Sequence, residues 1–157
     1  DNTKAATASL LTKVAAFDEK MAGCDRKMDG TKLTLLVLAG RYGICRLGPD
    51  EPVPAWGLQG EFFSVTRTAE ELSIVCAETQ IPTTVLCESG WRLFKIDAIM
   101  DFSLVGIVAG ISAALAGANI GIFVLSTYNT DYILVRQPDF AAAAIALRTA
   151  GYTVLGA

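Results

Sequence analysis

Histidine is absent from the 157 residues of this chain. That absence removes the usual general base, the commonest metal ligand and the standard partner of a serine or cysteine nucleophile. Most hydrolase constellations are thereby excluded, while carboxylate or lysine chemistry stays formally open. The four cysteines, Cys24, Cys45, Cys76 and Cys87, show no C-x-x-C spacing. Without histidine, a structural zinc site would need all four from well-separated places. They read as isolated buried thiols in a reducing compartment, and no metal or cofactor is implied. The adjacent acids Asp50-Glu51 and Glu70-Glu71 would face opposite ways on a strand, which argues against paired catalytic carboxylates. Basic residues are scattered and the net charge is -3, so the electrostatic footprint of a nucleic-acid binder is missing. Residues 1–16 contain no apolar core of the secretory-signal kind, and a cytoplasmic location is expected.

Charge itself is missing from Phe102 to Thr130. The length would suit a membrane span, for which about 20 apolar residues suffice, but the internal pattern argues for a buried core instead. Leu104, Ile107, Val108, Ile111 and Leu115 form one helical stripe over 104–117. Ala118-Asn119 then interrupts, and 120–125 (IGIFVL) is a β-rich run. The stretch closes on Ser126-Thr127-Tyr128-Asn129-Thr130-Asp131, hydroxyls and amides suited to a turn or a ligand, with no flanking basic cluster. The expectation is helix, tight turn, strand and polar loop, without membrane association. With 52% hydrophobic and 18% charged residues, the chain has more apolar surface than a small monomer easily hides, so a homodimer is expected.

Residues 1–28 differ in style. Leu10, Val14, Phe17 and Met21 are spaced for an amphipathic helix with Thr7 or Ser9 as N-cap, which must dock on the body of the protein or on another chain. From Gly30 the pattern predicts strands at 33–38, 42–47, 62–67, 72–76 and 91–98. It continues with the helix at 104–117, strands at 120–126 and 132–136, a helix at 138–149 and a strand at 152–155. Prolines 52 and 54 with Trp56 mark an irregular or single-turn element. FFSVTRTAEELSIVC (62–76) and IFVLSTYNTDYILVR (122–136) align without gaps at an offset of 60, placing Glu71 on Asp131 and Val75 on Val135. The second copy is β-α-β-β-α-β, the ferredoxin-like plan. In the first copy the helical segments are eroded by prolines and Gly90.

The stretches DFSLVGIVAGISAALAGA (101–118), STYNTDYILV (126–135) and FFSVTRT-x-x-ELSIVC (62–76) resemble small two-unit ACT-domain proteins of bacteria and fungi. The last two are also similar to the ACT pairs of the CASTOR arginine sensors. The resemblance implies an α+β fold of two ferredoxin-like βαββαβ (ACT-like) units with antiparallel sheets. The first unit, 30–90, is eroded and the second is 91–157, preceded by the N-terminal amphipathic helix. It further implies a non-catalytic regulatory protein that holds a small amino acid or similar zwitterion at the seam between paired units, with a regulated protein partner downstream. Carried over by position, the ligand meets the backbone of Gly106 and Ile107, the hairpin residues Thr127, Tyr128 and Asp131, and Gly121 with Ile122 of the opposing unit. The sensors carry serine where this chain has Gly121. Elementary electrostatics fits these positions: Ser103 can cap a helix whose N-terminus attracts a carboxylate, and Asp131 supplies a negative charge for an ammonium or guanidinium group. A ligand-free module for oligomerisation or protein interaction is the alternative, since each of these residues also suits ordinary capping, packing or a solvated turn.

Overall fold

The computed structural model describes residues 33–98 and 106–156. The expected N-terminal helix lies outside the described residues. Eight strands form one sheet: β1 (Thr34–Val37), β2 (Tyr42–Leu47), β3 (Ser64–Arg67), β4 (Leu72–Ala77), β5 (Cys87–Ile96), β6 (Ile122–Ser126), β7 (Asp131–Arg136) and β8 (Thr153–Leu155). Among the described residues two α-helices, α1 (Ile107–Gly117) and α2 (Phe140–Thr149), follow β5 and β7. Among the described residues no helix is long and apolar enough to cross a membrane. The described part of the uncharged stretch, 106–130, contains α1 and β6, as its change from helical to alternating periodicity implies.

The sheet has two ferredoxin-like halves hinged on one long strand. The first half has the order β3-β4-β2-β5, every neighbour antiparallel. Its helices are reduced to single 3-10 turns at Ala55–Leu58 and Glu78–Gln80, where prolines and short connections leave no room for a helical nucleus. The second half runs β6-β7-β5-β1-β8. β5 serves both: Cys87, Glu88 and Trp91 pair with β2, while Trp91 to Lys95 pair with β7. Between them the register slips opposite Tyr42/Ile44, and Gly90 at φ +79° accommodates the bulge that bends the strand. The strand expected at 91–98 therefore begins earlier, because Glu88-Ser89-Gly90 reads locally as a turn and is recruited by its partner strand. β1 pairs antiparallel with β5 and parallel with β8, so the otherwise antiparallel sheet contains a parallel pair.

Three apolar clusters follow from strand alternation. Leu35, Phe94, Ile96, Ile133, Val135 and Val154 point to the helix side and pack with Ile107, Ile111, Leu115, Ala143, Ala144 and Leu147. Arg92 lies on that side too, its guanidinium 4.0 Å from the centre of the Phe140 ring, a cation–π contact that pins the start of α2. The opposite face of β5 and β7 offers Leu93 and Leu134, which join Tyr42, Phe62 and Val75 of the first half. Phe62 and Tyr132 bring their rings within 4.6 Å there. Cys45, Leu72, Ile74 and Cys76 form the third cluster, beneath Trp56, Ile81 and Val85. The cysteines expected as isolated thiols are thus neighbours: Cys45, Cys76 and Cys87 share this cluster because β2 lies between β4 and β5.

Candidate functional site

The two hairpins are structural copies, but at an offset of 59. Arg67 pairs with Leu72 in the first and Ser126 with Asp131 in the second. Each turn closes with a threonine N–H donating to a carbonyl three residues on, Thr68 to Glu71 and Thr127 to Thr130, both at 2.9 Å. Strands β4 and β7 then show the same sequence of buried and half-buried positions. The ungapped alignment at 60 paired Glu71 with Asp131 by chemical likeness. In space, Asp131 stands where the first copy has Leu72, and Thr130 where it has Glu71. Glu71 turns outward to an ion pair with Arg46 at 3.2 Å.

Asp131 therefore holds a carboxylate at a position built for an apolar side chain. It is 8% exposed, against 0% for Leu72. Among the described residues its carboxylate has no ion pair and no hydrogen-bond donor. The turn beside it is rigid: the Thr127 hydroxyl donates to the Thr130 carbonyl at 2.8 Å, and the buried Thr130 hydroxyl donates to the Ile96 carbonyl at 2.7 Å. That last bond fixes the Asp131 end of the hairpin against the end of β5.

From Ile96 the chain leaves β5 and enters α1 at Gly106. The helix begins at Ile107, with Gly106 in the left-handed region at φ 89° and no side-chain capping bond. Ser103 lies outside the described residues, and the N-cap position belongs to Gly106. Since α1 returns to β6, whose first residue Ile122 pairs with Val135, its N-terminus points toward the Ile96 and Asp131 end of the sheet. The first-turn N–H groups of a helix have no intrahelical acceptors, and Gly106 at φ 89° takes a conformation that residues with a side chain rarely adopt. Ile107 buries its side chain in the core, so it offers only backbone to a ligand.

Within one chain the site residues fall into two groups. Gly106, Ile107, Thr127, Tyr128 and Asp131 belong to one end of the sheet. Gly121 and Ile122 belong to the other, since four residue steps of about 3.3 Å each separate Ile122 from Ser126. Tyr128 is 80% exposed at the hairpin tip. Ile122 packs against the helix-side core, and a side chain at Gly121 would meet nothing within 4 Å. A shallow groove of about 540 Å³ between α1 and α2, lined by Ala113, Gly117, Ala142, Ile145 and Ala146 among others, lies apart from both groups.

In the sequence Asp131 stands out by the resemblance and as the acid that ends an uncharged stretch. Sequence reasoning missed the burial of that charge, which only the hairpin register reveals.

Comparison with known proteins agrees with this architecture. A model described as the ACT domain matches residues 86–149, and one described as an N-terminal domain matches 40–84. The cytosolic arginine sensor for mTORC1 subunit 1 of Homo sapiens is 28% identical over 92 residues, a match covering 52% of this chain and 28% of the sensor. The chain thus spans under a third of that relative's length. Protein Atu0741 from Agobacterium tumefaciens superposes with a TM-score of 0.76 at 42% identity, covering 80% of this chain and 94% of that one. The ligand-free regulatory subunit of aspartate kinase from Thermus thermophilus shares the fold at a TM-score of 0.54 and 11% identity, covering 74% of this chain and 96% of that one. With the ACT-domain match over residues 86–149 and a relative 42% identical across 94% of its length, the chain belongs to the ACT-domain family.

Proposed function

We propose that this protein is a non-catalytic amino-acid sensor whose binding sites form where two copies pair along β6. The observation that supports the reading most is the carboxylate of Asp131, held at an apolar position beside a rigid turn. A ligand ammonium or guanidinium group would supply the missing counter-charge, and the uncapped start of α1 would receive the ligand carboxylate. The two ends complement a zwitterion.

The strand geometry supports the second copy's contribution. β6 pairs only with β7 among the described strands, so its other edge offers unpaired backbone groups. Antiparallel pairing of two β6 strands about Val124 sets Ile122 of one copy opposite Ser126 of the other. Gly121 then falls opposite Thr127. The two groups of site residues, separated within one chain, meet across this two-fold axis. The absence of a side chain at Gly121 leaves the space beside Thr127 and Tyr128 open for a ligand. Occupancy would tighten the pair and alter the surface offered to a regulated protein.

Calorimetric titration of the full chain against the proteinogenic amino acids tests this. One ligand or a small set should bind, and Asp131→Asn should weaken it by roughly ten- to a hundredfold, the range for a charge-assisted bond. Gly121→Ala should also weaken binding while leaving monomer stability unchanged, because the added methyl meets nothing within 4 Å among the described residues of its own chain. A flat panel would favour an interaction module without ligand.

A further inference from the structure

The thiol cluster of the first unit has the geometry of a disulfide site. Cys45 of β2 and Cys87 of β5 are direct register partners. One residue along, the Arg46 N–H donates to the Leu86 carbonyl at 3.0 Å. Hydrogen-bonded and non-hydrogen-bonded pairs alternate along an antiparallel ladder, so Cys45 and Cys87 form a non-hydrogen-bonded pair with Cα atoms about 4.5 Å apart. Both side chains leave the sheet on one face. A disulfide spans Cα separations of roughly 4.4–6.8 Å, so closure here requires side-chain rotation and little backbone movement.

Gly43 makes the space for it. A Cβ at that position would lie 2.6 Å from the Cys87 sulfur, so Sγ of Cys87 occupies the volume that a side chain at 43 would fill. Across β2, Gly43 is the register partner of Cys76, and a third sulfur borders the same space. All three are free thiols. Accessibility orders them: Cys45 and Cys76 are buried, whereas Cys87 is half-exposed. Burial, reinforced by the hydrogen bond with Cys87, pushes the Cys45 thiol up and disfavours its direct attack on an outside reagent.

We propose that Cys87 is a modification site for small-molecule disulfides and passes the oxidation to Cys45, closing a cross-strand disulfide between β2 and β5. In the first step the Cys87 thiolate attacks one sulfur of R–S–S–R, forming a mixed disulfide and releasing RS⁻. In the second, the Cys45 thiolate attacks Sγ of Cys87 and expels the second RS⁻. The two protein thiols lose two electrons and two protons, and the reagent leaves as two RSH. The product staples the strand common to both units to the first unit.

Oxidised glutathione added to the full chain carrying Cys24→Ser, followed by alkylation and peptide mass mapping, tests this. The expected result is a linked Cys45–Cys87 peptide, with Cys76 still alkylated. Cys45→Ala should stop the reaction at a glutathione adduct on Cys87, and Cys87→Ser should give neither species. A Cys45–Cys76 or Cys76–Cys87 link would overturn the assignment. So would a persistent adduct on Cys87 with Cys45 present, or full alkylation of all three thiols after oxidation. The parent map decides the matter even if a variant fails to fold.

Discussion

Three residues carry much of the chemistry in this fold, and each owes its character to its position. Asp131 is an acid at a leucine position, Gly43 a missing side chain beside a sulfur, and Cys76 a thiol with no access to water. The Cys76 thiol is pushed from 9.0 up to about 11, by burial first and by Cys87 second. The folded protein thus keeps this proton to higher pH than the unfolded chain does. Its contribution to stability is complete below 9.0 and is lost as pH rises through about 11. Burial raises Tyr42 and Tyr152 in the same direction. Urea unfolding midpoints should therefore fall as pH rises across that window, and Cys76→Ala, though less stable overall, should show a shallower fall.

At the scale of elements, β1 shows how local pattern and long-range pairing divide the information. Alternating apolar residues made the strand at 33–38 legible, as they did β2, β4, β6 and β7, because burial on one face leaves a period of two in any partner arrangement. Nothing local says that β1 inserts between β5 and β8. Pairing partners are set by distant chain segments, so the extension of β5 through Glu88-Ser89-Gly90 was equally hidden. The hairpin offset was missed for a related reason: similarity of residue type favoured acid on acid, while register follows the turn hydrogen bonds. The cysteine cluster, too, arises from register and leaves no spacing to recognise. Leu35, fully buried among Ile96, Leu147 and Val154, offers a test of the inserted strand. Leu35→Ala should cost about 2–5 kcal/mol by urea unfolding. Faster amide exchange should appear first in β8 and α2, far away in sequence from the change.

For the whole molecule, one continuous sheet joins a helix-covered half to a half whose helices have shrunk to single turns. The helix-covered half keeps the polar hairpin, the helix start at Gly106 and β6, an edge strand among the described strands. The other half supplies Tyr42, Phe62 and Val75 to the apolar cluster that holds Leu93 and Leu134. The two hairpins are structural copies, and the first shows leucine at the position that Asp131 takes in the second. Asp131→Leu restores the first copy's residue, which exchanges a buried carboxylate for buried apolar surface. Stability gained by that change, about 1–3 kcal/mol on ordinary transfer and desolvation magnitudes, would measure what the acid costs an empty site.

The most direct measurement is the thermal unfolding midpoint of the parent and Asp131→Leu proteins, each with and without the proteinogenic amino acids. A higher midpoint is expected for empty Asp131→Leu than for the empty parent. At least one amino acid should raise the parent's midpoint while none raises that of the variant. An amino acid that raised both midpoints equally would contradict the assignment of Asp131 to the ligand.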